Sequence, residues 1–228
     1  MIKAKTNNCF SSIPGISLGH YSDLKAMTGC SVIICPPGTT GSCDVCGSSP
    51  GSRETELLNP TKSMQQVNAI LMTGGSAFGL AAAEGIVKYL GEHDMGYETP
   101  WGKVPIVPGA VIFDLNVGDS SIRPTQADAY LACKEAVPKN SQTGRIGAGT
   151  GATIGKWQGF EARMPGGLGC AEIIIGDLIV SAVAVVNAVG DVIKDDGHVL
   201  CGAKMPDGTW CAENGKLFGS MPLPSHTN

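Results

Sequence analysis

The sequence predicts an α/β protein built of short apolar strands and two short helices. Three observations carry this reading. Apolar runs of strand length, such as "CSVIICPP", "VNAILMT" and "LIVSAVAVVNAVGDVI", are bounded by Gly, Pro and Ser clusters. Two other segments, one opening at "GGSAFG" and one at "TQADAY", have the spacing of amphipathic helices. Finally, 32 of the 228 residues are glycine, about twice the usual share of roughly 7%. They follow no period, which suits tight turns and close backbone approaches. No linker, composition shift or internal repeat divides the chain, so residues 1–228 are expected to form a single domain.

Along the chain, Cys30 to Pro37 reads as a buried strand ended by prolines. The segment after it, "TTGSCDVCGSSPGSRETELLNP", is a long polar loop. Val67 to Thr73 is a second strand that runs into a helix, with Ser76 as its N-cap. Phe78, Leu80, Val87 and Leu90 can face a core, and Gly91 or Gly96 ends the helix. Val104 to Leu115 is strand-like, but its prolines argue for an edge or a break in pairing. Thr125 to Val137 is a second short helix. The remainder is mostly β, and the Val/Ala-rich run ending in "VVNAVGDVI" reads as a central strand buried on both faces.

Composition excludes several functions. Charged residues are only 16% against 43% hydrophobic. That leaves little polar cover for a monomer and implies subunit contacts. A net charge of −4 with no Lys/Arg cluster excludes a nucleic-acid binder. The N-terminus "MIKAKTNNCF" has no signal-peptide core. No apolar run reaches the roughly 18 residues of a membrane span. The expected setting is a reducing cytoplasm, with the nine cysteines as free thiols. Cys43 and Cys46 form a lone Cys-x-x-Cys without the second pair a zinc site needs, so a structural role outweighs metal or redox chemistry.

The glycine-rich motifs are near misses. "GGSAFG" is not G-x-S-x-G, because Phe78 stands two places after Ser76. Gly74, Gly75 and Ser76 can still form a cradle of N–H groups for an oxyanion or carboxylate; the plainer reading is a tight strand-to-helix turn. "GRIGAGTGATIGKW" fails the phosphate-loop pattern at Thr150 and at Trp157. It fits G-x-G-x-x-A through Gly147, Gly149 and Ala152, yet lacks the preceding strand and following helix. Its one lysine, Lys156, sits beside four glycines and would need a partner or a function if buried. Asn187 interrupts an apolar strand; it either ties down a loop or aims its NH₂ at developing negative charge. The four histidines have no evident serine or cysteine partner, and no nucleophile–base set is visible.

Six blocks, "GCSVIICPPG", "SSPGSRETELLNP", "AILMTGGSAFGLAAAEGIVKYL", "VPIVPGAVIFDL", "GRIGAGTGATIGK" and "VSAVAVVNAVGDV", together resemble peptidase family S58, also called the DmpA or P1 family. The likeness runs from about Ile13 to the last residue. It includes L-aminopeptidase/D-amidase-esterases, β-peptidyl aminopeptidases and endo-type nylon-oligomer hydrolases. The resemblance implies an αββα sandwich like that of N-terminal-nucleophile hydrolases. It implies a precursor that cuts itself, freeing a Ser or Thr at the start of a β-subunit whose α-amine acts as base. Asn228, closing "GSMPLPSHTN", would then end the α-subunit, and the nucleophile would lie on the β-subunit.

The resemblance also makes Asn187 an oxyanion-hole amide and Lys156 a helper of proton transfer or charge. It places Phe113, Gly74, Gly75, Ser76 and Gly149 around the substrate. Phe113 stands where the family often has a tyrosine, and Val111 where aminopeptidases carry a glutamate for the substrate's free amine. Cys46 stands where an arginine is expected. The expected assembly is an αβ unit that oligomerises further, acts on a small amide or peptide, and uses no metal or cofactor. Strict aminopeptidase action and, from another class, a non-catalytic protein binding small anions are the alternatives. A thiol or metal protein built on Cys43 and Cys46 is the third.

Overall fold

The structure, a computed structural model, describes residues 5–7, 10 and 12–213. Asn228 therefore lies outside the described residues. In chain order the strands and helices are β1 (Lys5–Asn7), β2 (Ser17–Asp23), β3 (Thr28–Ile34), β4 (Ser52–Arg53), β5 (Ala69–Thr73), α1 (Ala83–Glu92), β6 (Tyr97–Thr99), β7 (Gly102–Val104), β8 (Gly109–Val111), α2 (Gln126–Lys134), β9 (Thr153–Ile154), β10 (Met164–Pro165), β11 (Gly167–Ile175), β12 (Leu178–Val186), β13 (Val192–Ile193) and β14 (Val199–Cys201). A 3-10 stretch, Ser76–Ala82, leads into α1.

Two sheets form the body. One has the order β2-β3-β5-β8-β4, the other β1-β11-β12. Every residue of β3 is buried, because each face of that strand is covered. Cys30, Val32 and Ile34 pack with Ile86 and Leu90 of α1 and with Ala129, Ala132 and Cys133 of α2. Ile33 and Cys35 belong to the opposite cluster, against which Ile70, Met72, Cys170 and Val183 pack. The layers are thus α, β, β. The helices sit close because their contact residues are small: a Cβ on Gly85 would lie 2.0 Å from the carbonyl oxygen of Gln126. Thr125 caps α2 in a capping box with Asp128.

Four expectations need correction. Among the described residues, β12 lies at the edge of its sheet and not at its centre. Its residues alternate in exposure, with Leu178 at 58% and Val180 at 55%, alongside Ile173 and Ile175 of β11. The run from Val104 to Leu115 is broken: Val104 ends β7, opposite Tyr97, and Gly109–Val111 forms β8, which lies between β5 (parallel) and β4 (antiparallel) and so is no edge. Prolines limit it on the N-terminal side, although the Pro108 carbonyl still accepts from the Leu71 N–H. Ser76 is not a side-chain cap. Gly75 holds the cap position with φ +80° and Ser76 itself has φ +54°. Phe78 turns outward beneath the Arg123 guanidinium, 4.0 Å from its ring centre, rather than into the core.

Candidate active site

The turn after β5 does hold a carboxylate, and it is the protein's own. The Gly74 N–H donates to the Gly29 carbonyl at 2.9 Å and the Ser76 N–H to the Ile112 carbonyl at 3.0 Å. The Gly75 N–H donates to Asp114 Oδ1 at 2.7 Å, while Thr28 Oγ1 donates to Asp114 Oδ2 at 2.8 Å. Asp114 is buried and has risen in proton affinity through that burial, an effect its donors partly offset. Only glycine fits the turn: a Cβ on Gly74 would stand 2.1 Å from Asp114 Oδ2. The N–H groups of Gly74, Gly75 and Ser76 are therefore committed inward. This turn braces the segment that carries Phe113 and offers no N–H cradle to a substrate.

The residue next to Asp114 opens the site. The Phe113 ring is 56% exposed, and its carbonyl accepts from Asn187 Nδ2 at 3.2 Å. Asn187 directly follows β12. Its Oδ1 accepts from the Thr153 N–H at 3.0 Å and from Lys156 Nζ at 2.9 Å. Lys156 Nζ also donates to the Asn187 carbonyl at 3.0 Å. The amide oxygen is thus clamped by two donors, which fixes which end of the side chain carries the NH₂. One of its two N–H bonds goes to Phe113, leaving a second for a ligand. Lys156 is half-buried and has lost proton affinity, first by burial and then through the positive charge of Arg163.

Backbone pairing fixes both side chains. The Gly155 N–H donates to the Gly190 carbonyl and the Trp157 N–H to the Val189 carbonyl. Trp157 Nε1 and the Ala203 N–H both donate to Asp191 Oδ1, at 2.8 and 2.9 Å. Upstream, the glycine loop hangs from β2 and β3: Gly147 N–H donates to Ser22 Oγ and Ala148 N–H to Ser31 Oγ. His20 Nδ1 lies 2.8 Å from that same Ser31 Oγ, and burial drops the imidazole pKa to about 4.

The structure therefore brings Asn187, Lys156 and Phe113 together and joins Gly74, Gly75 and Ser76 to them through Ile112 and Asp114. Gly149 stands apart. It is buried against β11, and a Cβ there would lie 2.4 Å from the Leu168 nitrogen, so a close approach of that strand requires glycine here. Beside the site, a cleft of about 830 Å³ opens between the sheets, lined in part by Met72, Val111 and Val183. Cys43 and Cys46 are exposed on the loop over that cleft; Cys43 Sγ donates to the Thr55 carbonyl and Cys46 Sγ to Asp44. Asp114 and Thr153 are members that sequence reading did not pick out. An acid inside the apolar run "VIFDL" was the available signal for Asp114.

The profile of peptidase family S58 matches residues 8–213. An uncharacterised aminopeptidase of Mycobacterium leprae is 43% identical over 209 residues, covering 85% of this chain and 56% of that protein. A 6-aminohexanoate-oligomer endohydrolase of Agromyces sp. is 33% identical over 193 residues, covering 83% of this chain and 50% of that protein. The chain thus spans about half the length of these relatives. Among solved structures, a Burkholderia sp. β-aminopeptidase superposes with a TM-score of 0.62 at 17% identity, over 82% of this chain and 54% of that one. The L-aminopeptidase D-Ala-esterase/amidase of Ochrobactrum anthropi, described as a variant of the Ntn hydrolase fold, gives 0.57 at 13% identity, over 73% and 52%. These likenesses assign the architecture to that fold. Together with the profile match, they place this chain in peptidase family S58.

Proposed function

We propose that this chain is the α-subunit of a self-processed amidohydrolase whose nucleophile is the N-terminal Ser or Thr of a β-subunit. The observation that carries the reading is the clamped Asn187 amide, whose remaining N–H is oriented and supported by Lys156. A nucleophile attacking an amide carbonyl creates a tetrahedral oxyanion. A pre-oriented N–H beside it stabilises that charge without reorganisation. The α-amine of the nucleophile takes its hydroxyl proton, the acyl group moves to the hydroxyl oxygen, and the amine of the substrate leaves with a proton. Water then releases the acid. Lys156, half-buried and softened as an acid–base group, is suited to hold or pass a proton near the nucleophile.

The partner also has a place to dock. Among the described residues β12 is bonded on one side only, and the hairpin with β11 presents Ile173, Ile175, Leu178 and Val180 outward. A β-subunit that adds a strand to β12 and a layer over this face would complete an αββα sandwich. Further association of αβ units is consistent with the low charge. Strict aminopeptidase action is the second reading, favoured by the relatives that bear that name. Against it, Val111 in the cleft supplies no carboxylate for a free amine.

Mass spectrometry of the protein expressed from its full gene tests the proposal. The expected result is a second fragment beginning with Ser or Thr, together with hydrolysis of an N-blocked amide. A single uncut chain without amidase activity would refute it.

A further inference from the structure

The rim of the site carries positive charge that pairs with no carboxylate among the described residues. β9 and β10 pair antiparallel with Met164 opposite Ile154. One residue further out, this register sets Arg163 opposite Gly155, next to Lys156. The Arg163 guanidinium donates one N–H to the Asn116 carbonyl at 3.3 Å, three residues beyond Phe113. It lies 5.7 Å from the centre of the exposed Phe160 ring. Four of its five donors have no assigned role in the site.

Among the described residues, neither Arg163 nor Lys156 has a carboxylate within ion-pair distance. The acids close by are committed elsewhere. Asp114 faces Gly75 and Thr28, and Asp191 faces Trp157 and Ala203. Glu161, on the turn between the two cations, is exposed and pairs with neither. In a chain of net charge −4, such a gathering of cations is not a by-product of composition. Two like charges held near one another repel, and an anion between them relieves that repulsion. The exposed rings of Phe113 and Phe160 offer apolar contact for the rest of such a ligand.

We propose that Arg163 binds a carboxylate of the substrate, so that the amide cleaved belongs to a molecule ending in a free acid, such as an N-acyl amino acid or an ω-amino-acid oligomer. This rests on the reading that Asn187 and Lys156 flank the scissile amide. Arg163 is then a specificity residue that selects an acid terminus, where an aminopeptidase selects an amine.

The test compares two substrates in the processed two-subunit enzyme: an N-acetylated ω-amino-acid dimer with a free carboxylate, and the same dimer as its carboxamide. In Arg163→Gln, kcat/KM should fall about tenfold more for the acid than for the carboxamide, the usual scale for a charge-assisted hydrogen bond. Arg163→Lys should restore part of the difference. Equal losses on both substrates, or none on either, would overturn the proposal. Calorimetric binding of hexanoate and hexanamide supplies an arm that needs no turnover. Wild-type protein should prefer hexanoate and Arg163→Gln should lose that preference. Such binding in a protein that hydrolyses neither dimer would sustain the acid site and refute the amidohydrolase. Absence of any preference would refute the acid site alone.

Discussion

Asn187→Asp separates the chemical role of the amide from its structural one. The substitution is nearly isosteric. Oδ1 can still accept from the Thr153 N–H and Lys156 Nζ, at 3.0 and 2.9 Å in the wild type. What changes is the other end. Nδ2, which donates to the Phe113 carbonyl at 3.2 Å, becomes an oxygen facing an oxygen, and no N–H remains for an oxyanion. Folding stability should move little. One neutral hydrogen bond worth about 1 kcal/mol is lost, and a partly exposed ion pair to Lys156 returns a similar amount at most. Turnover should collapse: removing one oxyanion donor costs roughly 10²–10³ in kcat, about 2.7–4 kcal/mol at the transition state. The new carboxylate also favours charged Lys156, so any alkaline limb that Lys156 sets should move to higher pH. The assay pairs steady-state kinetics with thermal unfolding, on material shown by mass to be processed. A kcat within tenfold of wild type in that material would refute the oxyanion role. Asn187→Ala should be the less stable variant, since it strands the N–H of Thr153, a residue only 5% exposed, at a cost of about 1–3 kcal/mol.

Other outcomes follow from the same geometry. Lys156→Met should lower kcat about a hundredfold and remove the alkaline limb, leaving KM little changed; an unaltered pH profile would exclude Lys156 from proton transfer. Val111→Glu places a carboxylate in the cleft between the sheets. The ratio of kcat/KM for free-amine over N-blocked substrates should rise, and an unchanged ratio would mean that Val111 does not set that preference. Glu172→Gln tests the N-terminal anchor. Glu172 is 1% exposed and accepts from Asn7 Nδ2, from the Ser12 N–H and hydroxyl, and from Ser181 Oγ. These donors, the Ser12 N–H first, pull its pKa from 4.5 to about 2. Its stabilisation is thus fully present above the unfolded value and fades as pH falls toward 2. Denaturation should show the variant weaker at neutral pH and the gap closing in that window. A gap that persists below it would contradict the linkage. For His20 the pKa falls from 6.5 to about 4 through burial. Protons then bind the unfolded chain preferentially between those values, so stability should drop as pH falls through that range. His20→Gln should flatten that part of the curve.

Much of the architecture was legible because it rests on local patterns. The β3 run and the helical stretch that becomes α2 each follow from a few adjacent residues. The site was legible in pieces. Asn187 and Lys156 stood out as polar residues in apolar or glycine-rich surroundings, and they meet across 31 positions. Asp114 did not stand out, because its role is set by Thr28, 86 positions away, and Gly75, 39 away. The Gly-Gly-Ser stretch reads in sequence as a tight turn or as a cradle for an oxyanion or carboxylate, and no local pattern says that a carboxylate of the chain itself fills it. Gly149 misled for a related reason: a glycine that admits a ligand and one that admits a neighbouring strand look the same in sequence.

The β12 run is the instructive failure. A nearly unbroken Val/Ala sequence calls for burial on both faces, yet in this chain Val183 faces the β2-β3-β5 sheet while Leu178 and Val180 face outward. The pattern and the structure agree once the strand is assigned to a larger assembly. On the proposed two-subunit reading, a strand patterned for two covers receives its second cover from the β-subunit. Among the described residues β12 also has no strand on its outer edge, a configuration that proteins seldom leave exposed. Both deficits lie on the strand that Asn187 directly follows. A subunit that filled them would set its own backbone beside that amide, where the proposed mechanism needs its nucleophile.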